Sequence, residues 1–229
     1  ELTLEDGLVA YYPFNGNAND ESGNGLNFKT TPKLSTDRNG ESESTSYLDS
    51  SETFSTSDLS LSGSNFSGSV WVYLKKTPSS SGERALVHGS WDNSTGLFSL
   101  AFWGDGRGGI STRDSQIQRE VIAPSGTFSQ KQWYHLSFTS DGENLSFYID
   151  GELFSSIKSN LITTKSAPLS IGGDIANSYY FDSGKIDDVR IYDRALTDNE
   201  VSQLYDFEKP KTSIDDGLVA YYPFNGNAN

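Results

Sequence analysis

The chain contains no cysteine and no methionine. A disulfide framework, a thiolate metal site and a thiol nucleophile are all excluded. That absence does not exclude export. Histidine is scarce too: His88 and His135 are the two in 229 residues. No stretch of 18 apolar residues occurs, so no segment reads as a membrane-spanning helix. Basic residues are in deficit, with 17 Lys and Arg against 31 Asp and Glu, a formal net charge of −14. A surface of that sign repels nucleic acid and anionic lipid, so neither nucleic-acid binding nor membrane insertion is expected. The acids are scattered rather than blocked, which is the pattern of a solvated surface and not of an acidic tail.

Catalytic signatures are missing as well. No serine sits in a Gly-x-Ser-x-Gly elbow. Asp150 and Glu152 flank Gly151 in one turn, not across a cleft as paired acids for glycoside hydrolysis require. The run Gly104-Asp-Gly-Arg-Gly-Gly109 has neither the Lys-Ser/Thr of a phosphate loop nor dinucleotide-binding spacing, and reads as a strand connection. No catalytic residue is assigned, and the chain is expected not to be an enzyme.

What is present begins with a repetition. Asp6 to Asn19 read DGLVAYYPFNGNAN, and Asp216 to Asn229 read the same. Upstream, Thr3-Leu4-Glu5 and Ser213-Ile214-Asp215 match through conservative swaps. Preserved words with diverged flanks point to two successive units of a natural tandem array. A period near 210, the offset from Asp6 to Asp216, is far longer than a solenoid repeat and makes each unit a whole domain. We expect one domain over 1–207, a linker over 208–215 carrying Pro210, and the first strand of the next unit over 216–229.

Within the unit the apolar residues alternate, the mark of half-buried strands. Val70, Val72, Phe98, Leu100, Phe102, Leu136, Phe138, Leu145, Phe147 and Ile149 share the faces expected to fill the space between two sheets. Asp150-Gly151 between two such runs predicts a tight hairpin. One helix is credible, opened by Thr197-Asp-Asn-Glu200 as a capping box. The expected fold is all-β: a two-sheet antiparallel β-sandwich, or jelly roll, with one short C-terminal helix.

Three stretches carry a family likeness: GLVAYYPFNGNANDESGNG (7–25), WYHLSFTSDGENLSFYIDGEL (133–153) and GKIDDVRIYDRALTDNEVSQLY (184–205). Together and in order they resemble the bacterial laminin G-like domains of the concanavalin A-like lectin/glucanase superfamily. The resemblance implies a jelly roll whose first and last strands lie side by side, and an extracellular, cell-surface setting. It also implies frequent calcium, and use in adhesins or beside sugar-processing enzymes. The Glu-x-Asp-x-Glu strand of the superfamily's glucanases is absent.

The loop Asn15–Gly25 groups side-chain oxygens among glycines, as an irregular calcium site would. By the resemblance, Asp20 and Asp187 are its carried-over ligands, with Asn17 and Asn24 as companions. The other reading is an Asx-rich turn that bonds its own backbone. Trp71, Trp133 and Tyr148 occupy the opposite strand faces, as a sugar platform or as packing under loops. Trp91, Trp103, Tyr179 and Tyr180 fall in or beside loops, where binding function commonly resides. Asp92, Asn93, Asp105 and Arg107 would supply the hydrogen bonds that orient a sugar. The expected function is a non-catalytic repeat of a bacterial surface adhesin, calcium-stabilised, with a glycan or cell-surface ligand and neighbouring repeats as partners; the resemblance itself fixes no ligand. The alternative is a structural repeat or filament subunit, joined to its neighbours through the terminal strand.

Overall fold

The computed structural model describes residues 4–48, 53–90, 96–114, 117–174, 177–182, 184–210 and 219. The second copy of the opening segment lies outside these, apart from Val219. In chain order the described strands begin with β1 (Leu8–Tyr12), β2 (Lys33–Ser35), β3 (Thr45–Tyr47), β4 (Phe54–Ser62), β5 (Phe66–Leu74) and β6 (Glu83–His88). They continue with β7 (Phe98–Phe102), β8 (Gly108–Asp114), β9 (Ile117–Ala123), β10 (Trp133–Ser140) and β11 (Asn144–Ile149). Last come β12 (Glu152–Lys158), β13 (Thr164–Ile171), β14 (Gly173–Asp174), β15 (Tyr179–Tyr180), β16 (Gly184–Tyr192) and the helix α1 (Asp198–Glu208).

The larger sheet runs β12-β11-β10-β5-β16-β3-β2, and β1 pairs with the part of β16 beyond β3. First and last strands therefore lie side by side, with Tyr11 opposite Arg190. The smaller sheet runs β4-β13-β6-β7-β8-β9, and β14 pairs with β15 alone. Every pairing is antiparallel. This is the two-sheet jelly roll with one short helix that the alternation predicts.

The alternation decides what lies between the layers. Val70, Val72, Leu136, Phe138, Leu145 and Phe147 from the larger sheet and Phe98, Leu100 and Phe102 from the smaller are fully buried, while Ile149 at a strand end is partly so. Phe98 meets Phe66 at 5.7 Å and Phe138 at 4.8 Å between ring centroids, joining the layers. Gly68 makes this possible, because a Cβ there would fall 2.4 Å from the Phe138 ring.

Two local predictions are realised in detail. Asp150 and Gly151 connect β11 to β12 with φ of 51° and 82°, the paired positive values of a tight hairpin turn. Thr197 accepts from the Glu200 N–H while the Glu200 carboxylate accepts from the Thr197 N–H, closing the capping box.

The helix covers the outer face of the larger sheet. Leu196, Val201 and Leu204 pack with Tyr148 and Tyr192. The Tyr205 ring lies 5.8 Å from Trp71 and 5.7 Å from His135. Trp71 and Tyr148 are consequently 3% and 2% exposed and offer no open platform, whereas Trp133 packs beside Tyr73 and is partly exposed. The domain boundary expected at residue 207 falls short: Glu208 is buried and belongs to the fold. Its partners, Trp71 and Arg190, come from distant strands and give no local signal.

Candidate ligand-binding site

At one rim of the smaller sheet, β7 turns into β8 through Trp103–Arg107. The turn is fixed by backbone bonds: Trp103 N–H to the Arg107 carbonyl at 3.0 Å, Gly106 N–H to the Trp103 carbonyl at 3.0 Å and Gly104 N–H to the Ser79 carbonyl at 3.2 Å. Asp105 anchors the far side, its carbonyl accepting from Gly126 N–H at 2.9 Å and from the Ser125 hydroxyl at 2.7 Å. This rigid turn holds a partly exposed indole at the rim.

Charged groups gather on that indole. The Arg107 guanidinium lies 4.9 Å from the Trp103 ring and its Nε is 3.3 Å from an Asp105 carboxylate oxygen. Arg84 on β6 lies 5.7 Å from the same ring and 4.9 Å from the Tyr179 ring on β15. Cation–π attraction of this kind contributes about 0.5–1 kcal/mol at exposed sites. Beside the turn opens a cleft of about 320 Å³, bounded by Thr77, Pro78, Asp105, Phe128 and Gln130. The structure thus brings Trp103, Asp105, Arg107 and Tyr179 together and adds Arg84, which no sequence pattern singled out. Tyr180 follows Tyr179 in the strand and points to the other face by the two-residue alternation. Trp91, Asp92 and Asn93 lie outside the described residues.

The expected calcium ligands do not assemble into a cage. Asp20 accepts backbone N–H bonds from Tyr11 and Ser22 on one oxygen, both 3.0 Å, and from Leu26 on the other at 2.9 Å. The Asn17 side-chain oxygen accepts from Asn19 N–H at 2.7 Å, and the Asn24 amide donates to the Val9 carbonyl at 3.2 Å. Asp187 is engaged by Arg38 at 2.7 Å and by the Asp188 N–H at 3.0 Å. Carboxylates already holding N–H donors and a guanidinium do not fit a cation that needs six or more oxygens. Among the described residues no group of three or more His, Cys, Asp or Glu side chains is placed to hold a metal ion. The loop follows the alternative reading, a turn that bonds its own backbone.

Asp187 belongs instead to a buried charged network under the last turn of α1. A bulge in β16 between Asp187 and Arg190, with Asp188 at φ 43°, brings Asp187, Asp188 and Arg190 together there. Arg38 bridges Asp187 at 2.7 Å and Asp188 at 2.6 Å, donates to the Glu208 carbonyl at 2.9 Å and stacks 4.5 Å over Trp71. Glu208 accepts from Arg190 at 2.7 Å and from the Trp71 indole at 2.9 Å. Burial, with the nearby Asp188 charge, pushes both Asp187 and Glu208 above the ordinary carboxylate range, against the pull of the arginines. His135 is wholly buried beside this network and neither ring nitrogen has a hydrogen-bond partner. Burial and the Arg38 and Arg190 charges depress it to about 3. Loss of hydration without compensation, not a satisfied contact, sets its chemistry.

Residues 45–202 match a laminin G-like family of the concanavalin A-like lectin/glucanases superfamily. The chain belongs to this family. Solved structures with the same architecture include the binding domain of Paraclostridial Mosquitocidal Protein 1, at TM-score 0.71 and 20% identity over 89% of this chain and 52% of that one. The binding domain of botulinum neurotoxin serotype D follows at TM-score 0.70 and 19% identity, over 89% and 52%. That of serotype G gives 0.68 and 20%, over 87% and 51%. This laminin G-like chain spans about half the length of these structures, and at such identities the likeness concerns the fold. No curated protein matches it. Among the described residues of the laminin G-like fold, no helix is long and apolar enough to cross a membrane.

Proposed function

We propose that this laminin G-like domain is a non-catalytic binding repeat of an extracellular surface adhesin, and that its rim at Trp103 holds a glycan or comparable surface ligand. The observation that carries the reading is the convergence of Trp103, Arg84, Arg107, Asp105 and Tyr179 at the rim, where Asp105 also lines a cleft on the same turn. An indole offers the flat apolar surface on which sugar C–H groups stack. Carboxylate and guanidinium groups beside it fix hydroxyl orientation by charge-assisted hydrogen bonds. The Arg107 side chain is 47% exposed, so it can leave the indole face and meet the ligand at small cost. The fold shared with toxin binding domains is compatible with this use. Repetition of units would multiply weak single-site contacts through effective concentration.

A glycan array probed with the protein and with Trp103→Ala and Arg107→Ala tests the reading. Binding should fall at least tenfold in either variant while the thermal midpoint stays in place. Binding that survives both changes, or no binding to any glycan, refutes it. A structural repeat is the second reading. It is favoured by the recurrence of DGLVAYYPFNGNAN and by an exposed apolar residue at the domain's exit, Phe207.

A further inference from the structure

The chain enters and leaves this domain at one pole. Leu4 and Glu5 share a cavity of about 410 Å³ with Tyr11, Arg190 and Phe207. Phe207 also lines a groove of about 770 Å³ with Tyr11, Asn15, Arg38, Lys209 and Pro210. The Leu4 carbonyl accepts from the Tyr192 hydroxyl at 3.1 Å, and Leu4 packs on the helix cluster, so the entry is fastened to the element from which the exit departs. At this shared pole Phe207 is 66% exposed, and the groove beside it is bordered by exposed Asn15, Asn39 and Glu41.

The repetition in the sequence turns this into a constraint on the next unit. Ile214 stands where Leu4 stands, 210 positions on, and only Lys211, Thr212 and Ser213 lie between it and Pro210. The four Cα-to-Cα steps from Pro210 to Ile214 span at most about 14 Å. The following unit's entry is thereby held within about 14 Å of this unit's exit. A following unit that folds as this one does would carry that entry on its own pole. A connection running from the end of one bead to the far end of the next is not available. With such a unit, the short tether would bring two like poles together, this one carrying exposed Phe207 beside an open groove.

We propose that consecutive units of the array dock pole against pole, and that Phe207 with the groove between Tyr11 and Lys209 is the surface covered by the following unit. The proposal rests on the repeat component of the function argued above. Exposed Glu5 and Glu41 and the half-exposed Lys209 give the pole charges of both signs, so two poles can meet with opposite charges adjacent. Glycan sites at the Trp103 turn lie on a different set of loops and share no lining residue with this pole, so docking leaves them open. An array built this way has its units splayed around a common stem rather than strung end to end.

The described unit closes both sheets and its core within 4–210, so the test joins two whole units: residues 1–215 followed directly by a second copy of residues 6–210. The absence of cysteine permits site-specific spin labels. With Ile162→Cys in both units, an exposed site that lines neither pocket of the pole, the measured label–label distance should be a single narrow distribution. Phe207→Ser in the first unit, a change at an exposed site, should broaden it. The same variant should speed tryptic cleavage after Lys211 at least tenfold, although each unit keeps its melting temperature. A broad distance distribution in the unsubstituted pair, or cleavage and distances indifferent to Phe207→Ser, overturns the proposal. A parent protein whose sequence carries one unit alone would instead remove the repeat reading, which separates the two failures.

Discussion

Replacing His135 by Phe should change how stability depends on pH more than it changes stability itself. The ring sits 5.2 Å from Trp71 and 5.7 Å from Tyr205, and its nitrogens bond nothing, so a phenyl ring replaces it with similar shape and no lost hydrogen bond. The ordinary histidine value is 6.5, and in the fold it is lowered to about 3. A base whose folded pKa is lowered stays neutral in the native state while the unfolded chain takes up the proton. Its contribution is therefore complete above pH 6.5 and declines as the pH falls from there toward 3. The slope is about 1.4 kcal/mol per pH unit, so at pH 5 the histidine should cost about 2 kcal/mol relative to pH 7. Asp187 and Glu208 act oppositely: their raised values give stability that is complete below the ordinary carboxylate range and is lost as the pH rises from there toward those raised values. Urea unfolding of both proteins at pH 7, 6 and 5 cancels that common background. The difference between the curves should widen toward pH 5 by about 2 kcal/mol in favour of the phenylalanine variant. Parallel curves would refute the reasoning and place a proton or a hydrogen-bond partner on the imidazole. The Glu208 carboxylate oxygen 3.6 Å from Nε2 is the nearest candidate.

Two further predictions concern the turns. Gly151→Ala places a Cβ at φ 82° and 2.8 Å from the Tyr205 side chain, and should lower unfolding free energy by about 1–3 kcal/mol in urea titration. An unchanged midpoint would mean that the helix does not press on the hairpin. Asp20→Ala removes the acceptor of three backbone N–H groups and should cost about 1–3 kcal/mol, by the same amount in calcium and in chelator. A cost that appears in calcium alone would restore the ion site.

The parts of the fold that are visible in the sequence are those governed by neighbours along the chain. Strand parity identifies the core from Val70 to Ile149 because alternate residues share a face whatever lies opposite. Thr197 and Glu200 announce the helix because a capping box closes within four residues. Asp150-Gly151 announces the hairpin because its backbone needs positive φ. Strand β4, FSTSDLSLS, is harder to see: Ser, Thr and Asp along it resemble a loop until β13 pairs with it. The same limit applies to the sites. Trp103, Asp105 and Arg107 sit in one turn and are found together, whereas Arg84 joins them through tertiary packing. Arg38 lies 149 residues from Asp187, and nothing near either residue announces the pair. Asp187 was legible as an acid in a family motif, but its partner decided what it does.

Strand β1 finds its place only when β16 arrives, some 180 residues later, and this has a consequence for synthesis. The identical copy of β1 follows Tyr192 by 26 residues, from Tyr192 to Leu218. A nearer partner closes a smaller loop, an entropic advantage of about 2 kcal/mol for the wrong copy. Against it stands the order of emergence from the ribosome. At about 5–20 residues per second the correct strand has a head start of a second or more after β16 appears. A protein that repeats its opening words is thus exposed to mispairing between neighbours, and the pace of translation helps each unit close on its own first strand.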